Sequence, residues 1–256
     1  MRILALGDIV GAAAVNYLGQ TLWEVRRRER IDLVVANGEN ATDVRGVCAG
    51  DAAALLDTGV DVVTLGNHTF GKRDIYAYLE NESRVIRPAN YPPEAPGNGY
   101  TIVRADGWKV LCISILGRVY MDPHASPFDT VDRILAREAG NYDFAVMDIH
   151  AEATSEKLAL AHWFDGRVRV MFGTHTHVQT ADEQILPKGS GYITDLGMCG
   201  PIHGILGTEC QAVIDRFRFM MPTRFQVAGG EIAAMGVIVE VDAFATKMMG
   251  IKRIRF

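Results

Sequence analysis

Short apolar runs alternate with helix-like segments over the first part of the chain. Runs at 2–8, 32–40 and 60–68 each end in polar residues, and they predict three buried β-strands. The segment 51–59 predicts a helix that ends at a glycine. Continuous Val, Leu and Ile runs joined by helices are typical of parallel strands covered on both faces. This part of the chain therefore predicts βαβ units.

The pattern then changes to include antiparallel pairs. Residues 99–117 indicate two strands joined by a hairpin through Ala105, Asp106 and Gly107, and the last thirty residues indicate strands with a hairpin around Asp242. The other predicted elements are helices at 128–140 and 155–166, strands at 144–150, 168–173 and 191–197, and a proline-rich loop at 87–99. We interpret 1–256 as a single α/β domain with either a mixed sheet or two packed sheets.

The composition is that of an ordinary globular protein with a large core. Of the 256 residues, 48% are hydrophobic and 22% are charged, and the net charge is −5. This acidic balance argues against an extended nucleic-acid surface, but a bound metal would still allow a small phosphate ester to bind. No apolar run approaches the length of a membrane span, so we expect no membrane contact.

The cysteines and the N-terminal run indicate the compartment. The four cysteines are irregularly spaced and include no CxxC pair: Cys48, Cys112, Cys199 and Cys210. Such spacing is typical of reduced, mostly buried thiols rather than of a disulfide framework. The N-terminal apolar run reaches Asp8 too soon for a signal peptide. We therefore expect a cytoplasmic protein.

Polar residues, seven of them candidate metal ligands and the eighth His68, cluster at the ends of the predicted strands. They are Asp8, Glu39, Asn40, Asn67, His68, His150, His175 and His177. Taken singly, they fit a helix cap, a solvated turn, an Asx-turn or a hydrogen-bonded histidine. Taken together, they indicate one rim, because ligands of α/β sheets bind at the carboxyl ends of the strands. Carboxylate, amide and imidazole donors without thiolates favour iron, manganese, zinc or nickel.

The segment "GTHTH" at 173–177 is central to this hypothesis. We expect the turn to send the imidazoles of His175 and His177 in different directions, so that they would serve neighbouring ions, and Gly173 would let the chain turn. Glu39 has two oxygens with which to bridge the ions. Two metals about 3.5–4 Å apart can hold a hydroxide and clamp both oxygens of a phosphoryl displacement. The pattern thus predicts a dinuclear centre.

Five short motifs occur in order along the chain. They are "GD" at 7–8, "GEN" at 38–40, "GNH" at 66–68, His150 after a strand, and "GTHTH" at 173–177. This order resembles the calcineurin-like dinuclear metallophosphoesterases. The segments "GENA", "LGNHTF", "MDIHAEATSEK" and "GTHTHVQTAD" are similar to the bacterial YmdB-like branch. The resemblance covers nearly the whole chain and implies a four-layer αββα sandwich, with two mixed sheets flanked by helices.

Two positions depart from the wider superfamily. The usual Asp-x-His motif is Asp8-Ile9-Val10 here, and Glu39 stands where an aspartate usually bridges the metals. The YmdB-like branch carries the same substitutions. Asn40 would fill the place of the missing imidazole through its amide oxygen. An amide is a harder ligand than an imidazole, so the identity of the metals stays open.

The resemblance implies a role for each candidate. One metal would be held by Asp8, Glu39, Asn40 and His177, and the other by Glu39, Asn67, His150 and His175. His68 would protonate the leaving oxygen, as suits an imidazole that titrates near neutral pH. We expect two ions, iron first, with manganese, zinc or nickel as alternatives.

The implied activity is hydrolysis of a phosphodiester by a metal-bridging hydroxide. The expected substrates are 2′,3′-cyclic nucleotides, opened to nucleoside 3′-phosphates, with 3′,5′-cyclic nucleotides as a further class. Two alternatives remain: a phosphomonoesterase with the same metals, and a non-catalytic regulatory or RNA-processing partner. A nucleotide-binding α/β protein is disfavoured, because no glycine-rich phosphate loop is present. We also expect a homo-oligomer.

Several other residues have weaker interpretations. His124 is predicted at the surface and His162 at the core edge, while His203 lies in a glycine-rich loop and would be either exposed or pocket-lining. Arg118 would face a phosphate or form a structural salt bridge. The run 26–30 predicts the solvated end of a helix. The Met-rich segment 217–225 would belong to the core or to an oligomer contact.

Overall fold

The computed structural model describes residues 1–242 and 248–256. Its strands are β1 (Arg2–Leu6), β2 (Asp8–Ile9), β3 (Leu33–Asn37), β4 (Val62–Thr64), β5 (Val85–Ile86), β6 (Tyr100–Ala105), β7 (Trp108–Leu116), β8 (Phe144–His150), β9 (Val170–Thr174), β10 (Gln184–Ile185), β11 (Gly191–Ile193), β12 (Met198–Pro201), β13 (Ile232–Val241) and β14 (Met248–Arg255). Its helices are α1 (Gly11–Glu29), α2 (Ala49–Asp57), α3 (Ile75–Asn81), α4 (Pro127–Arg137), α5 (Thr154–Phe164) and α6 (Cys210–Phe219).

The strands form two mixed sheets. The first has the order β2-β12-β13-β1-β3-β4-β5, and β14 also pairs with β13. Within it β1, β3, β4 and β5 are parallel, while β13 runs antiparallel to β1. The second has the order β10-β11-β9-β8-β7-β6, with antiparallel strands only at its two edges. The prediction of two packed mixed sheets is confirmed.

Alternation along the strands builds four layers. In β1, Ile3 and Ala5 pack in the core between the sheets, whereas Leu4 and Leu6 pack in the core beneath the helices. Buried residues of α1, α2 and α3 cover the first sheet, and those of α4 and α5 cover the second. The result is the predicted αββα sandwich.

The inner faces of the sheets turn polar toward their carboxyl ends. In β8, Phe144 and Val146 belong to the core between the sheets, and Asp148 and His150 follow on the same face. In β3, the buried Asn37 likewise ends a strand whose earlier residues are apolar. The space between the sheets is therefore filled by apolar side chains along most of its length, and polar side chains that form hydrogen bonds lie at one end.

Most predicted elements are present with shifted ends. The hairpin at 99–117 is confirmed as β6 and β7, joined at Asp106 and Gly107, which both have positive φ. The last strand pair is also confirmed, because β13 and β14 are antiparallel. The predicted hairpin around Asp242 continues into 243–247, which lie outside the described residues.

Two predicted strands are divided instead of continuous. The run 2–8 stops at Leu6, and Asp8 pairs separately with Met198 of β12. The run 191–197 stops at Ile193, and the chain then crosses to the first sheet as β12.

Three weaker interpretations need correction. His162, predicted at the core edge, is exposed. In the run 26–30, predicted to be solvated, Arg26 is the exception. Its Nη1 lies 3.0 Å from Asp61 Oδ2 and donates to the Gly59 carbonyl oxygen. Of the two interpretations of segment 217–225, the core is wrong for four of its apolar side chains, which are exposed: Phe217, Phe219, Met220 and Met221. An oligomer contact stays a prediction.

The cysteines are free, as predicted, although only Cys112 and Cys199 are fully buried. Cys48 is half-buried at the start of α2, and Cys210 is exposed. Among the described residues, no helix has the length and apolar character that crossing a bilayer would require.

Candidate metal centre

The structure brings the eight predicted site residues to one end of the cleft. Asp8 comes from β2, His150 ends β8, and the others lie in the loops after β3, β4 and β9. Both sheets contribute, because the carboxyl ends of their parallel strands meet at this edge. The ordinary interpretations of Asp8, Glu39 and Asn40 do not hold, because α1 begins after Val10 rather than at Asp8, and Glu39 and Asn40 are buried. His150 is hydrogen-bonded, as its ordinary interpretation expects.

Four of these residues, which we call the His150 group, meet around one ring nitrogen. Nε2 of His150 lies 3.0 Å from Asn67 Oδ1, 3.1 Å from His175 Nδ1 and 3.2 Å from Glu39 Oε1. His150 is fully buried, and its ring meets that of His175 edge-on. Donor atoms of Glu39, His150 and His175 all lie within 4.8 Å of one another.

Three further residues, the Asp8 group, lie beside them: Asp8, Asn40 and His177. His177 Nε2 is 3.6 Å from Asp8 Oδ1, and Asp8 Oδ2 accepts a hydrogen bond from the backbone N–H of His175. Asn40 donates through Nδ2 to Glu39 Oε1 at 3.2 Å. Oδ1 of Asp8 and Oδ1 of Asn40 are buried without a hydrogen-bond partner among the described residues.

His68 stands at the edge of the His150 group. It is half-buried, and its backbone N–H donates to Glu39 Oε2 at 2.9 Å. Its ring nitrogen Nε2 lies 3.4 Å from Asn67 Nδ2. Burial lowers the pKa of His68, although Glu39 opposes this shift. The ring is therefore close to the donor cluster without being enclosed by it.

A buried polar network that the sequence analysis missed supports His150 from below. Thr174 lies opposite His150 in the strand register, and its Oγ1 is 2.9 Å from His150 Nδ1. The Thr174 hydroxyl donates to Asp148 Oδ1 at 2.6 Å, while Asn37 and Thr64 donate to Asp148 Oδ2. This network fixes the orientation of the imidazole. Burial raises the pKa of Asp148 to about 6.

The turn that carries His175 and His177 is held by a buried ion pair. Both histidines have positive φ, 91° and 60°, a region that L residues seldom adopt. Between them, Thr176 donates to Asp195 Oδ2 from its N–H and from its hydroxyl. The same oxygen accepts from Lys157 Nζ at 2.9 Å, and both charged side chains are fully buried. The pair therefore holds the turn at its midpoint.

The expected role of Gly173 in this turn is wrong. Gly173 lies within β9, and the backbone bends afterwards at the histidines themselves. A Cβ at this position would collide with the carbonyl oxygen of Thr194. The glycine is required because two backbones approach closely.

Gly66 leaves the space beside the donor cluster open. A Cβ at this position would collide with His150 Nε2 and with Glu39 Oε2. The glycine of the "GNH" motif thus keeps a side chain out of the place where the donors converge.

Electrostatics in the bare cluster are dominated by buried carboxylates near imidazoles. Burial tends to raise the pKa values of Asp8 and Glu39, but His177 and His150 respectively outweigh it, so both values are lowered. Burial likewise tends to lower the pKa of His150, yet Glu39 raises it to about 9. His175 responds in the opposite sense, since burial and the charge of His150 lower its pKa to about 4.

The weaker candidates lie around this centre. His203 is exposed and lines, with His177, a cavity of ≈ 480 Å³. His124, predicted at the surface, is instead half-buried against Tyr91, with ring centroids 4.5 Å apart. The backbone N–H of Arg118 donates to Glu156, and its exposed side chain forms no ion pair with the described acidic residues. A salt bridge for Arg118 is therefore not found there.

The residues present fit a pair of cations. Two buried carboxylates, two amides and three imidazoles supply nitrogen and oxygen donors without sulfur, which suits iron, manganese, zinc or nickel. The two orphaned oxygens, on Asp8 and Asn40, are satisfied only if a cation or a donor faces them. Gly66 keeps a side chain out of the space beside His150 Nε2 and Glu39 Oε2, where the other ion would bind.

The fold and the donor cluster together define the class of protein. The solved structure of a 5′-nucleotidase precursor from Thermus thermophilus matches with a TM-score of 0.63 at 11% identity, over 100% of this chain and 54% of that one. This likeness concerns the fold, and the chain has the αββα fold of the metallophosphoesterases.

The particular family follows from closer relatives. The model of the family described as "YmdB-like protein" matches residues 4–254, and the chain belongs to that family. A Bacillus subtilis (strain 168) protein named 2′,3′-cyclic-nucleotide 2′-phosphodiesterase is 41% identical over 254 residues, 99% of this chain and 96% of that protein. The crystal structure of a protein described as a novel phosphatase of Mycoplasma pneumoniae matches with a TM-score of 0.93 at 33% identity, over 100% of this chain and 93% of that one.

Proposed function

We propose that this protein is a dinuclear metal-dependent phosphodiesterase that hydrolyses 2′,3′-cyclic nucleotides to nucleoside 3′-phosphates. The main support is the 41% identity, over 99% of the chain, to the Bacillus subtilis protein of that named activity. The converging donors supply the second support, because the named reaction is one that a pair of metal ions catalyses well. 3′,5′-cyclic nucleotides are the second substrate class to be tested.

We assign the ligands by the two groups. The His150 group (Glu39, Asn67, His150 and His175) would hold one ion. The Asp8 group, together with the shared Glu39, would hold the other. When bound, the two ions supply a nucleophile at neutral pH and positive charge for the phosphoryl oxygens.

The remaining chemistry belongs to residues of the chain. Asp148 and Thr174 orient His150, and the pair Lys157–Asp195 orients the turn with the other two histidines. His68, at the open edge, would donate a proton to the departing ribose oxygen. We expect this donation to matter because an alkoxide is a poor leaving group.

Product analysis tests the proposed reaction directly. Protein reconstituted with Fe²⁺ or Mn²⁺ should convert adenosine 2′,3′-cyclic phosphate to 3′-AMP, separated from 2′-AMP by chromatography. Bis-p-nitrophenyl phosphate should be hydrolysed faster than p-nitrophenyl phosphate. Faster turnover of the monoester would favour the phosphomonoesterase, for which the Mycoplasma pneumoniae neighbour described as a phosphatase is the relevant relative. Absence of both activities in metal-replete protein would favour a non-catalytic partner.

The role of His68 is tested by changing the leaving group. His68→Ala should lower kcat for the cyclic nucleotide by about 100-fold, as expected for loss of a general acid. The same variant should lose much less with bis-p-nitrophenyl phosphate, since p-nitrophenolate departs without protonation. Equal losses for both substrates, or loss of bound metal, would assign His68 a different role.

Iron as the native metal, a cytoplasmic location and a homo-oligomeric state remain predictions of the sequence. Elemental analysis of protein purified without added metal tests the first of these. Light scattering of the same preparation tests the oligomeric state.

A further inference from the structure

A large cavity lies next to the proposed catalytic centre. It has a volume of ≈ 1030 Å³ and lies between the loop 87–99 and one face of α4. That face presents Thr130, Arg133, Ile134 and Arg137, which share a side of the helix because they recur every three or four residues. The distance from Thr130 to Arg137 along the helix is about 10 Å.

Tyr91 joins this cavity to the centre. Its ring lines the cavity, and its hydroxyl donates to the backbone carbonyl oxygen of Asn67 at 3.4 Å. Phe70 packs edge-on against the ring, with centroids 5.3 Å apart. Burial raises the pKa of Tyr91 to about 12, so the hydroxyl keeps its proton. A ligand bound at Asn67 would therefore reach the cavity past a fixed aromatic ring.

The cavity is positively charged although the chain as a whole is acidic. Arg87, Arg133 and Arg137 line it, and no aspartate or glutamate is among its described lining residues. The buried Arg87 donates to three backbone carbonyl oxygens, of Pro88, Ala95 and Pro96, and it forms no ion pair with the described carboxylates, although the charge of Glu80 is near enough to act on it. A lining of this kind attracts an anion.

The arginines of α4 are available to a ligand. Both are exposed, and within the described part of the chain Arg133 donates only to the Asp129 carbonyl oxygen and the Thr130 hydroxyl. Arg137 lies 3.7 Å from Glu138, a long contact for an ion pair at the surface. Two guanidinium groups four residues apart on one helix face can bind one phosphate group.

The end of the cavity nearest the centre offers an aromatic surface. The rings of Tyr91 and His124 are 4.5 Å apart at 52°. Burial lowers the pKa of His124, although the nearby Asp122 opposes this shift, so the imidazole is mainly neutral. Such a pair of rings stacks well with a planar base, whatever the base. The cavity thus offers an aromatic surface near Asn67 and cations farther along α4.

We propose that this cavity binds a nucleotide unit that carries a second phosphate, besides the phosphodiester hydrolysed at the centre. The inference rests on the proposed function and narrows its substrate class. The base stacks against Tyr91 and His124, and the second phosphate binds Arg133 and Arg137. Its source is either a 5′-phosphate of the same nucleotide or the linkage to a preceding nucleotide in a short RNA end.

Kinetics on three substrates separate these sources. They are adenosine 2′,3′-cyclic phosphate, its 5′-phosphorylated form, and the dinucleotide ApA ending in a 2′,3′-cyclic phosphate. We expect kcat/KM to be at least about tenfold higher for one or both of the longer substrates, mainly because KM is lower. A gain of about tenfold is what one additional hydrogen bond to a charged group would give. The substrate that benefits identifies the source of the phosphate.

The arginines are tested by a matched pair of double variants. Arg133→Gln/Arg137→Gln should reduce the preference for the second phosphate to about twofold or less, because the charge-assisted contacts are gone. Arg27→Gln/Arg28→Gln makes the same charge change on α1, which covers the other sheet, and should keep the preference. Equal kcat/KM for all three substrates in the native protein, or equal loss in both variants, would overturn the proposal.

Direct binding separates this inference from the proposed function. Calorimetry on metal-loaded protein compares adenosine 3′,5′-bisphosphate with 3′-AMP. Tighter binding of the bisphosphate, lost in the α4 variant, would support the cavity even if no cyclic nucleotide were hydrolysed; in that case only the proposed reaction would fail. Equal affinities would overturn the cavity proposal while leaving the proposed reaction intact.

Discussion

The His150 group and the Asp8 group lie side by side, yet the protein holds them differently. In the His150 group three atoms, on Glu39, Asn67 and His175, lie 3.0–3.2 Å from His150 Nε2, so they share as partner the single N–H that this ring nitrogen can carry. In the Asp8 group the Oδ1 atoms of Asp8 and Asn40 are buried without such a partner in the described part of the chain.

This difference predicts an order of metal affinity. An ion bound to the His150 group must displace contacts that the side chains already make with one another. An ion bound to the Asp8 group would instead satisfy two oxygens that accept no hydrogen bond from the described residues, Asn40 Oδ1 and Asp8 Oδ1, the latter 3.6 Å from His177 Nε2. A buried oxygen without a hydrogen bond costs about 1–3 kcal/mol. We therefore expect the Asp8 group to retain its ion longer during gradual chelation.

The largest expected effects come from the carboxylates of the two groups. Glu39→Gln should abolish activity and remove both ions, because Glu39 is shared. Asp8→Asn should also abolish activity but retain about one ion per chain, since the His150 group is intact. Elemental analysis of both variants, after equal reconstitution, measures the difference.

The control for this experiment is another carboxylate beside the same histidine. Glu152 lies 3.0 Å from His175 Nε2 but is half exposed at the rim, so Glu152→Gln should keep both ions. Retention of two ions by Glu39→Gln and Asp8→Asn would refute the assigned roles. Loss of both ions from Asp8→Asn would show that the two groups bind only as a unit.

The next largest effect is expected at Gly66. Gly66→Ala would place a methyl group against His150 Nε2 and Glu39, so it should displace the His150 group and reduce metal affinity by about 100-fold. Gly229→Ala is the control, because a Cβ there meets no atom within 4 Å. Metal titration of the apo-proteins measures both, and equal affinities would show that the cluster adapts to a side chain at 66.

Much of the fold was predictable because the core obeys simple periodicity. Strands such as β1 and β8 alternate between two buried faces, so their apolar runs are long and evident in the sequence. Very short strands such as β2 and β12 were missed, because their pairing depends on distant backbone that no local pattern records. Helix α6 was also missed, since only Val213 among its residues is buried.

The site residues that directly follow predicted strands were predictable from the sequence. The buried residues that hold those site residues in place were not predicted. Asp148 interrupts an apolar run in phase with His150, and this alternation was a usable signal. Lys157 shares the buried face of α5 with Leu160 and Phe164, and a lysine at such a position indicates a buried partner. The partner, Asp195, is 38 residues away in sequence, so its identity required the fold.

A smaller effect on metal binding, common to the His150 and Asp8 groups, is expected from the buried ion pair Lys157–Asp195, which holds the turn with His175 and His177. Asp195→Asn leaves Lys157 without its partner and should cost about 3–5 kcal/mol of unfolding free energy. The double variant Lys157→Met/Asp195→Leu should recover most of this stability. It should still bind metal about 10–100-fold more weakly, because Thr176 has lost its acceptor.

If the pair Lys157–Asp195 positions the turn, the double variant should therefore regain its stability without regaining its metal affinity. Urea denaturation and metal titration of the same variants measure the two quantities. The exposed pair Lys252–Glu29 has the same length, 2.9 Å, and Lys252→Met should cost less than about 1 kcal/mol without affecting metal binding. Full recovery of metal affinity in the double variant would show that the pair Lys157–Asp195 stabilises the fold without positioning the turn.

The smallest expected effect concerns Asp148, which acts on one group alone. Asp148→Asn keeps one carbonyl oxygen but turns an amide toward the donors, so Thr174 and His150 lose their fixed orientation. The ion of the His150 group should bind about tenfold more weakly, while the ion of the Asp8 group stays unchanged. Thr64→Val, which removes a hydrogen bond to the same carboxylate without touching His150, should have less effect. Asp148→Asn could instead lower the affinity for both ions equally. Asp148 would then position both groups, and the two groups would differ only in the buried oxygens of Asp8 and Asn40 that lack a hydrogen bond.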